Sequence, residues 1–180
     1  HDLVQDALKA QGFAMDFWRI AMRPGKPLMF AAKDRARVLG LPGNPVSTMV
    51  CALLFLKPAI DRMLGQPGDL PATRPARLAV DVKMNDTRED YVRSALSRAS
   101  DGSLTVTPHP VQDSSMLSVL AASEGFLVRP AHDPARRAGD VAQVVDAEGD
   151  GVHPAIALKE PSVDSLCVFV GAAGNKGIDR

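Results

Sequence analysis

Two short loops near the start of the chain combine residue types that bind anions. The first reads RPGKP and carries the cations Arg23 and Lys26. Pro24 and Pro27 fix the backbone on either side of Gly25, which permits a tight turn, so both cations are held on a stiff loop. We interpret this turn as an anion clamp, because a second loop of anion-binding type follows closely. An exposed charged turn would have the same composition.

The second loop reads PGNPVS and joins a predicted strand to a predicted helix. After Gly43, the spacing predicts Asn44 as the capping residue of the helix, Pro45 as its first residue and Ser47 as its third. The main-chain N–H groups and the dipole of such a helix face whatever binds there, and Ser47 adds a hydroxyl. The same spacing also fits a loop in which Asn44 and Ser47 only cap the helix.

An αβ unit must hold these two loops in place. Apolar runs at 28–32 and 36–42 predict two buried strands or a hairpin, and residues 13–21 read as an earlier strand. Residues 46–64 repeat apolar side chains at helical spacing, and Pro58 is expected to kink that helix. The side chains expected on its buried face are Val46, Met49, Val50, Leu53, Leu56, Ile60 and Leu64.

A change of pattern at 66–75, where three prolines and one glycine interrupt any periodicity, predicts a domain boundary. Short alternating runs follow, with one helix over 115–123 whose Met116, Leu117 and Leu120 are expected to point inward. We predict a small all-β barrel or sandwich from five strands at 77–82, 91–98, 103–108, 125–130 and 140–146. The predicted division is an α/β domain at 1–66, a linker at 67–75, the β domain at 76–147 and a poorly ordered tail at 148–180.

The composition excludes several functional classes. The 21 basic and 21 acidic residues balance, and aromatic residues make up 4% of the 180, so neither a basic stripe nor a stacking surface for nucleic acid is expected. No run approaches the ~20 apolar residues that a membrane span needs. Two cysteines far apart in sequence suit a reducing cytoplasm. No strand precedes the first helix, which indicates a sheet with members missing from this chain.

Several motifs together resemble the molybdopterin molybdenumtransferase family, which includes MoeA and the E domain of gephyrin. In the first half they are HDLV, AMRPGKPLMF, GLPGNPVS and KPAIDRMLG, and in the second half NDTREDYVR, QDSSMLS and AGDVAQVV. The resemblance covers residues 1–146 and implies the C-terminal portion of a longer protein. It implies an α/β fold, the C-terminal part of a MogA-like three-layer molybdopterin-binding domain, followed by a small barrel-like β domain.

The resemblance implies a function in molybdenum cofactor biosynthesis. Members of this transferase family insert molybdate into adenylylated molybdopterin with the help of a divalent metal, for which we expect Mg²⁺. Molybdate is a tetrahedral dianion and requires cations together with hydroxyl and main-chain donors. The implied binding residues are Arg23, Lys26, Pro27, Gly43, Asn44, Pro45, Ser47, Arg88, Ser114 and Ser115. Because Arg88 and Ser114 belong to the β domain, the pocket would form where the two domains meet.

The family's GGVSVGD-type loop is absent from this sequence, so the active site is expected to be incomplete. The resemblance places the metal ligands outside this chain and implies a cytoplasmic homodimer, with a molybdopterin adenylyltransferase as a further partner. We expect little or no turnover from the chain alone. Two alternatives stay open at this point: a non-catalytic pterin- or anion-binding scaffold, and a structural module whose loops bind nothing.

Overall fold

The computed structural model describes residues 3–147 and 165–170. Its first half contains a helix, four strands and a long interrupted helix. The elements are α1 (Leu3–Ala10), β1 (Ala14–Phe17), β2 (Met22–Arg23), β3 (Met29–Lys33), β4 (Ala36–Leu41), α2 (Pro45–Cys51), a π-helical segment (Ala52–Leu56) and α3 (Lys57–Met63). The second half contains β5 (Thr73–Leu78), β6 (Glu89–Arg98), β7 (Leu104–Pro108), α4 (Leu117–Ala121), β8 (Gly125–Arg129), β9 (Val141–Asp146) and β10 (Ser165–Val170).

The first sheet has the strand order β1-β3-β4-β10. β3 and β4 form the predicted hairpin, and β10 adds to β4 in parallel, with Cys167 opposite Val38. The predicted tail therefore contributes a strand at Ser165–Val170, whose continuous apolar run is typical of a strand added in parallel to an existing sheet. The rest of that tail lies outside the described residues.

The long helix departs from the predicted buried face. Val46 and Val50 are buried as expected, but Met49 and Ile60 are exposed and Leu54 is buried instead. Leu64 is also exposed, and Leu53 and Leu56 are only half-buried. Met49 precedes the π-helical segment, so its exposure shows that the inward face, which carries Val50, Cys51 and Leu54, lies beside the predicted stripe. The π turn just before Pro58 inserts a residue and rotates only the face that follows it, toward Ile60. Pro58 has no N–H to donate to the preceding turn, which favours such a widened turn at this place.

The second sheet closes into a five-stranded barrel in the order β6-β7-β5-β9-β8, with β8 pairing back to β6. Residues 73–75 of the predicted linker already belong to β5, where Thr73 pairs with Val145. The α4 helix is shorter than predicted and none of its residues is buried, so the expectation that Met116 and Leu117 point inward is wrong. Leu120 is half-buried.

One apolar cluster crosses from the barrel to the α/β part. Phe126 and Leu127 are adjacent in β8 and point to opposite faces, as successive residues of a strand do. Leu127 packs inside the barrel, whereas Phe126 packs with Leu28, Val50 and their buried neighbours beside α2. This shared core fixes the two parts of the chain against each other. The division into domains itself stays a prediction.

Candidate functional site

The short strand β2 brings Arg23 to the barrel. β2 runs parallel to the start of β6, with Arg23 opposite Asp90. The Arg23 Nε donates to Asp90 Oδ1 at 2.9 Å, and a second guanidinium nitrogen pairs with the other oxygen of the same carboxylate. The hydrogen bond with the Asp90 carboxylate raises the pKa of Arg23, so its charge is permanent. Arg23 therefore ties the RPGKP turn to β6.

Arg88 approaches the same place from the barrel. Its Nη2 lies 3.6 Å from Asp86 Oδ2, and the Arg23 Nη1 donates to that same oxygen at 3.2 Å. The Arg88 main-chain N–H donates to Asp86 Oδ1 at 2.9 Å. This hydrogen bond, together with the two nearby guanidinium groups, lowers the pKa of Asp86. Two arginines, one from β2 and one from the segment before β6, thus share one carboxylate oxygen.

The loop that carries Arg88 is braced by a buried amide. Asn85 Nδ2 donates to the main-chain oxygens of Arg88 at 2.8 Å, Arg129 at 2.9 Å and Pro130 at 2.8 Å. The His132 N–H donates to Asp86 O at 2.7 Å from the other side of the loop. Since these contacts hold the main chain, they fix where the Arg88 and Asp86 side chains begin.

A buried ion-pair network supports that brace. The Asp133 carboxylate accepts from Arg129, and Arg136 Nη2 donates to its Oδ1 at 2.7 Å. Arg129 also donates to Lys83 O at 2.9 Å, at the start of the Arg88 loop. Burial acts to raise the pKa of Asp133, but the hydrogen bonds from Arg136 and Arg129 outweigh it and hold the pKa below its usual value.

The RPGKP turn packs directly on α2. Gly25 has φ of 125°, and a Cβ built on it would lie 2.7 Å from Cys51 Sγ and 2.4 Å from Met22 Cε. Only glycine fits this close approach. Burial raises the pKa of the Cys51 thiol to about 12, so it acts as a small apolar side chain under the turn. Lys26 and Pro27 are exposed on the outer side of the turn.

The PGNPVS loop starts α2 where the sequence predicts it, with Asn44 at the capping position and Pro45 next. Asn44, however, makes no side-chain hydrogen bond to the helix, unlike most capping asparagines. Thr48 Oγ1 instead donates to Asn44 O at 2.9 Å. Within the part of the chain that the structure describes, the buried Asn44 Oδ1 has no hydrogen-bond partner. Ser47 is buried one helical turn before Cys51, on the helix face that meets the RPGKP turn.

Ser114 and Ser115 lie in a separate loop. The buried Arg93 holds that loop, donating to Asp113 O at 2.8 Å and to Gln112 Oε1 at 3.3 Å. Arg93 is five residues beyond Arg88 along β6, which corresponds to about 16 Å. The Ser115 hydroxyl donates to Asp113 Oδ1 at 2.8 Å. The hydrogen bonds and ion pairs described for residues 3–147 include none between these two serines and Arg88. The loop leads into α4, which packs beside α2.

Comparisons with known proteins agree with this architecture. Residues 1–62 match the family described as a probable molybdopterin binding domain, and residues 75–147 match the MoeA C-terminal region, domain IV. A molybdopterin molybdenumtransferase of Synechococcus elongatus is 36% identical over 148 residues, which is 79% of this chain and 34% of that relative. This chain belongs to the molybdopterin molybdenumtransferase family. The predicted fold, an α/β domain followed by a small barrel-like domain, is confirmed.

Other relatives extend the comparison. The molybdenum cofactor synthesis protein cinnamon of Drosophila melanogaster is 30% identical over 78% of this chain and 24% of its own length. A molybdenum cofactor biosynthesis protein of Pyrococcus furiosus aligns with a TM-score of 0.59 at 25% identity, over 81% of this chain and 54% of that one. A molybdopterin biosynthesis MoeA protein of Pyrococcus horikoshii has the same fold, with a TM-score of 0.61 at 22% identity over 80% of this chain and 34% of that one. The chain thus spans about a third of the curated Synechococcus relative.

The described residues do not fit a metal. No three histidine, cysteine or acidic side chains are grouped there in a way that could hold an ion. The two carboxylates at the domain junction, Asp86 and Asp90, are both engaged by arginine. We therefore assign no magnesium ligand to residues 3–147 or 165–170. The described helices include none that is long and apolar enough to cross a membrane.

Sequence reasoning did not find the two junction carboxylates. Asp86 and Asp90 flank Arg88 in the segment NDTRED, two residues to either side. Alternating acidic and basic residues beside a predicted cation site were the available signal, since a buried or half-buried arginine requires a partner. The prediction used only the cations and read Arg23 as a free anion clamp, whereas both of its charged contacts are carboxylates.

Proposed function

We propose that this chain supplies one face of the molybdate- and molybdopterin-binding site of a molybdenum insertion enzyme. In the complete protein, the reaction inserts molybdate into adenylylated molybdopterin. The site is formed by Arg23, Lys26, Pro27, Gly43, Asn44, Pro45, Ser47, Arg88, Ser114 and Ser115. Any magnesium that the reaction needs is held by residues outside this chain.

One observation carries the proposal: guanidinium groups from two separate parts of the chain reach a single oxygen atom. Arg23 Nη1 and Arg88 Nη2 lie 3.2 Å and 3.6 Å from Asp86 Oδ2. An oxyanion requires the same convergence, because each of its oxygens accepts from a fixed donor. Lys26 lies on the same turn as Arg23 and is exposed, so its ammonium is free to add a third positive charge.

The PGNPVS loop contributes to pterin binding in this proposal. Asn44 Oδ1 is buried without a partner in the described part of the chain, and an unpaired buried acceptor costs about 1–3 kcal/mol. An N–H group of a pterin ring satisfies such an acceptor. Gly25 of the RPGKP turn approaches Cys51 on the face of α2 that also carries Ser47, which supports a shared role for the turn and this helix in binding.

Anion titration of the 180-residue chain tests the proposal. Calorimetry with sodium tungstate or molybdate should detect binding that Arg88→Ala weakens by roughly 5- to 150-fold, since a charge-assisted contact contributes about 1–3 kcal/mol. Asn85 contacts only the main chain of Arg88, so its brace remains in this variant. Arg98→Ala is the matched control, because Arg98 lies at the far end of β6 and is exposed. Equal losses in the two variants would remove Arg88 from the site.

The chain alone should show little or no turnover. It spans about a third of the curated Synechococcus relative, and we propose that the metal ligands and other parts of the active site lie elsewhere in the complete protein. We propose that the complete protein is a cytoplasmic homodimer that receives its substrate from a molybdopterin adenylyltransferase. An assay of cofactor formation by the 180-residue chain, with adenylylated molybdopterin, molybdate and magnesium, checks the expected lack of turnover. A rate like that of a full-length family member would contradict that expectation. A chain that binds the anion but never turns over on addition of its missing segments would instead be a non-catalytic scaffold.

A further inference from the structure

Asp86 and Asp90 both pair with arginine at the junction between β2 and the start of β6. Asp86 faces the guanidinium groups of both Arg23 and Arg88, whereas Asp90 pairs with Arg23. Asp90 is buried and pairs with Arg23 through both of its oxygens. Asp86 is about half exposed, and its Oδ2 alone is directed at Arg23 and Arg88. Asp90 therefore holds the junction together, whereas Asp86 lies at its solvent side.

The Asp86 carboxylate is fixed in this position by the main chain. Its Oδ1 accepts from the Arg88 main-chain N–H at 2.9 Å, and the main-chain oxygen of Asp86 accepts from the His132 N–H at 2.7 Å. These bonds leave one carboxylate oxygen, Oδ2, turned toward the two arginines. That oxygen has the geometry expected of an oxygen of a bound oxyanion, because both donors already converge on it.

We propose that Asp86 is an affinity-setting residue of the oxyanion site, whose carboxylate competes with the incoming anion for Arg23 and Arg88. The inference rests on the proposed function, since it requires an oxyanion at these arginines. The four charged side chains Arg23, Arg88, Asp86 and Asp90 sum to zero. An anion can therefore bind both guanidinium groups only when Asp86 Oδ2 gives up these two partners. Competition of this kind lowers the affinity for every oxyanion and favours release.

A substitution that removes the charge of Asp86 but keeps the shape of its side chain tests the inference. Asp86→Asn keeps an oxygen that can accept from the Arg88 N–H, but it places a neutral amide between the guanidinium groups. Sodium tungstate should then bind roughly threefold to tenfold more tightly by calorimetry, a modest gain because the removed charge is half exposed and screened by solvent. Asp86→Ser removes the charge with a shorter side chain and should give a gain of the same sign.

The matched control is Asp101→Asn. Asp101 Oδ1 also accepts from the N–H two residues later, at 2.8 Å from Ser103, so the local turn and the lost charge are the same. Asp101 lies beyond the other end of β6, about 30 Å from the junction by strand length. Its replacement should leave tungstate affinity unchanged.

The outcomes separate the inference from the proposal on which it rests. Tighter tungstate binding in both Asp86 variants, together with unchanged affinity in the Asp101→Asn control, supports the role of Asp86 as a competing carboxylate. Binding that both Asp86 variants leave unchanged or weaken, while circular dichroism shows them folded, overturns the role of Asp86 and leaves the oxyanion site standing. Absence of tungstate binding in the unaltered chain and in both variants refutes the proposed function itself.

Discussion

Replacement of Asn85 by alanine should destabilise the chain far more than the same change at Asn44. Asn85 Nδ2 has two hydrogens and three main-chain acceptors at 2.8–2.9 Å, those of Arg88, Arg129 and Pro130. Each net hydrogen bond contributes about 0.5–1.5 kcal/mol, and a buried carbonyl left without a donor costs about 1–3 kcal/mol. We therefore expect Asn85→Ala to lower the free energy of unfolding by about 2–4 kcal/mol.

Asn44 is the matched control, because its side chain is the same but lacks the hydrogen bonds that the Asn85 amide makes. Its Oδ1 is buried without a partner in the described residues, and the side chain makes no bond to the helix that it precedes. Removal of the amide discards an unsatisfied acceptor rather than a hydrogen bond. Asn44→Ala should consequently change the free energy of unfolding by less than about 0.5 kcal/mol, below the usual loss of about 1 kcal/mol for a capping asparagine.

Urea denaturation followed by far-ultraviolet circular dichroism measures both variants. The midpoint should fall for Asn85→Ala with an unchanged slope, since the surface exposed on unfolding is the same. A midpoint within error of the unaltered chain would refute the view that this amide braces the Arg88 loop. A large loss for Asn44→Ala would show instead that the helix start depends on that side chain, contrary to the bonding described here.

Three further outcomes follow from the same contacts. Gly25→Ala should lower the free energy of unfolding by about 2–4 kcal/mol, because the strain of a positive φ adds to the clash of a Cβ at 2.7 Å from Cys51 Sγ. Gly102→Ala, where φ is positive but the space around a Cβ is open, should lower it by about 1–2 kcal/mol. Chemical denaturation measures both variants. Arg93→Met should speed amide hydrogen exchange in the loop after β7 on the order of tenfold, because that loop loses the buried guanidinium that holds it. The pKa of Asp133 is depressed in the folded state, so its contribution to stability is present above about pH 4 and is lost as the pH falls through the folded-state pKa. Asp133→Asn should flatten the loss of stability below pH 4 in urea titrations.

The sequence predicts the elements well where local chemistry decides them. Asn44 and Pro45 mark the helix start because proline fits only the first turn, and the structure begins α2 at Pro45. The β5 to β9 runs alternate because one face of each strand lines a barrel, and four of those five strands start within two residues of the predicted position. Such signals are carried by neighbouring residues and need no tertiary information.

Tertiary competition decides the rest. The buried face of the long helix lies beside the predicted stripe, so Leu54 enters the core rather than Leu53. More than one apolar stripe fits 3.6 residues per turn in this segment, and packing against the RPGKP turn and β4 selects the stripe that carries Val50, Cys51 and Leu54. The extra residue of the π turn before Pro58 is not anticipated by any such pattern. The strand at Ser165–Val170 lies in the segment predicted as a poorly ordered tail, for a related reason: its partner, β4, precedes it by more than 120 residues. The Asp90 partner of Arg23 is likewise 67 residues away in sequence.

The contacts of Arg23 change what the RPGKP turn can do. A free cation on an exposed turn attracts anions weakly, because solvent and salt screen it and its side chain must be ordered on binding. Arg23 is already ordered by Asp90, and this pairing leaves Nη1 as the nitrogen that reaches Asp86 at the solvent side of the junction. The conformational entropy of the Arg23 side chain is lost during folding rather than on anion binding. Pairing with Asp90 reduces the net positive charge of the turn, but it leaves Arg23 as a preorganised donor. Arginine suits this double role better than lysine, since only a planar guanidinium can pair with one carboxylate along one edge and donate from the other.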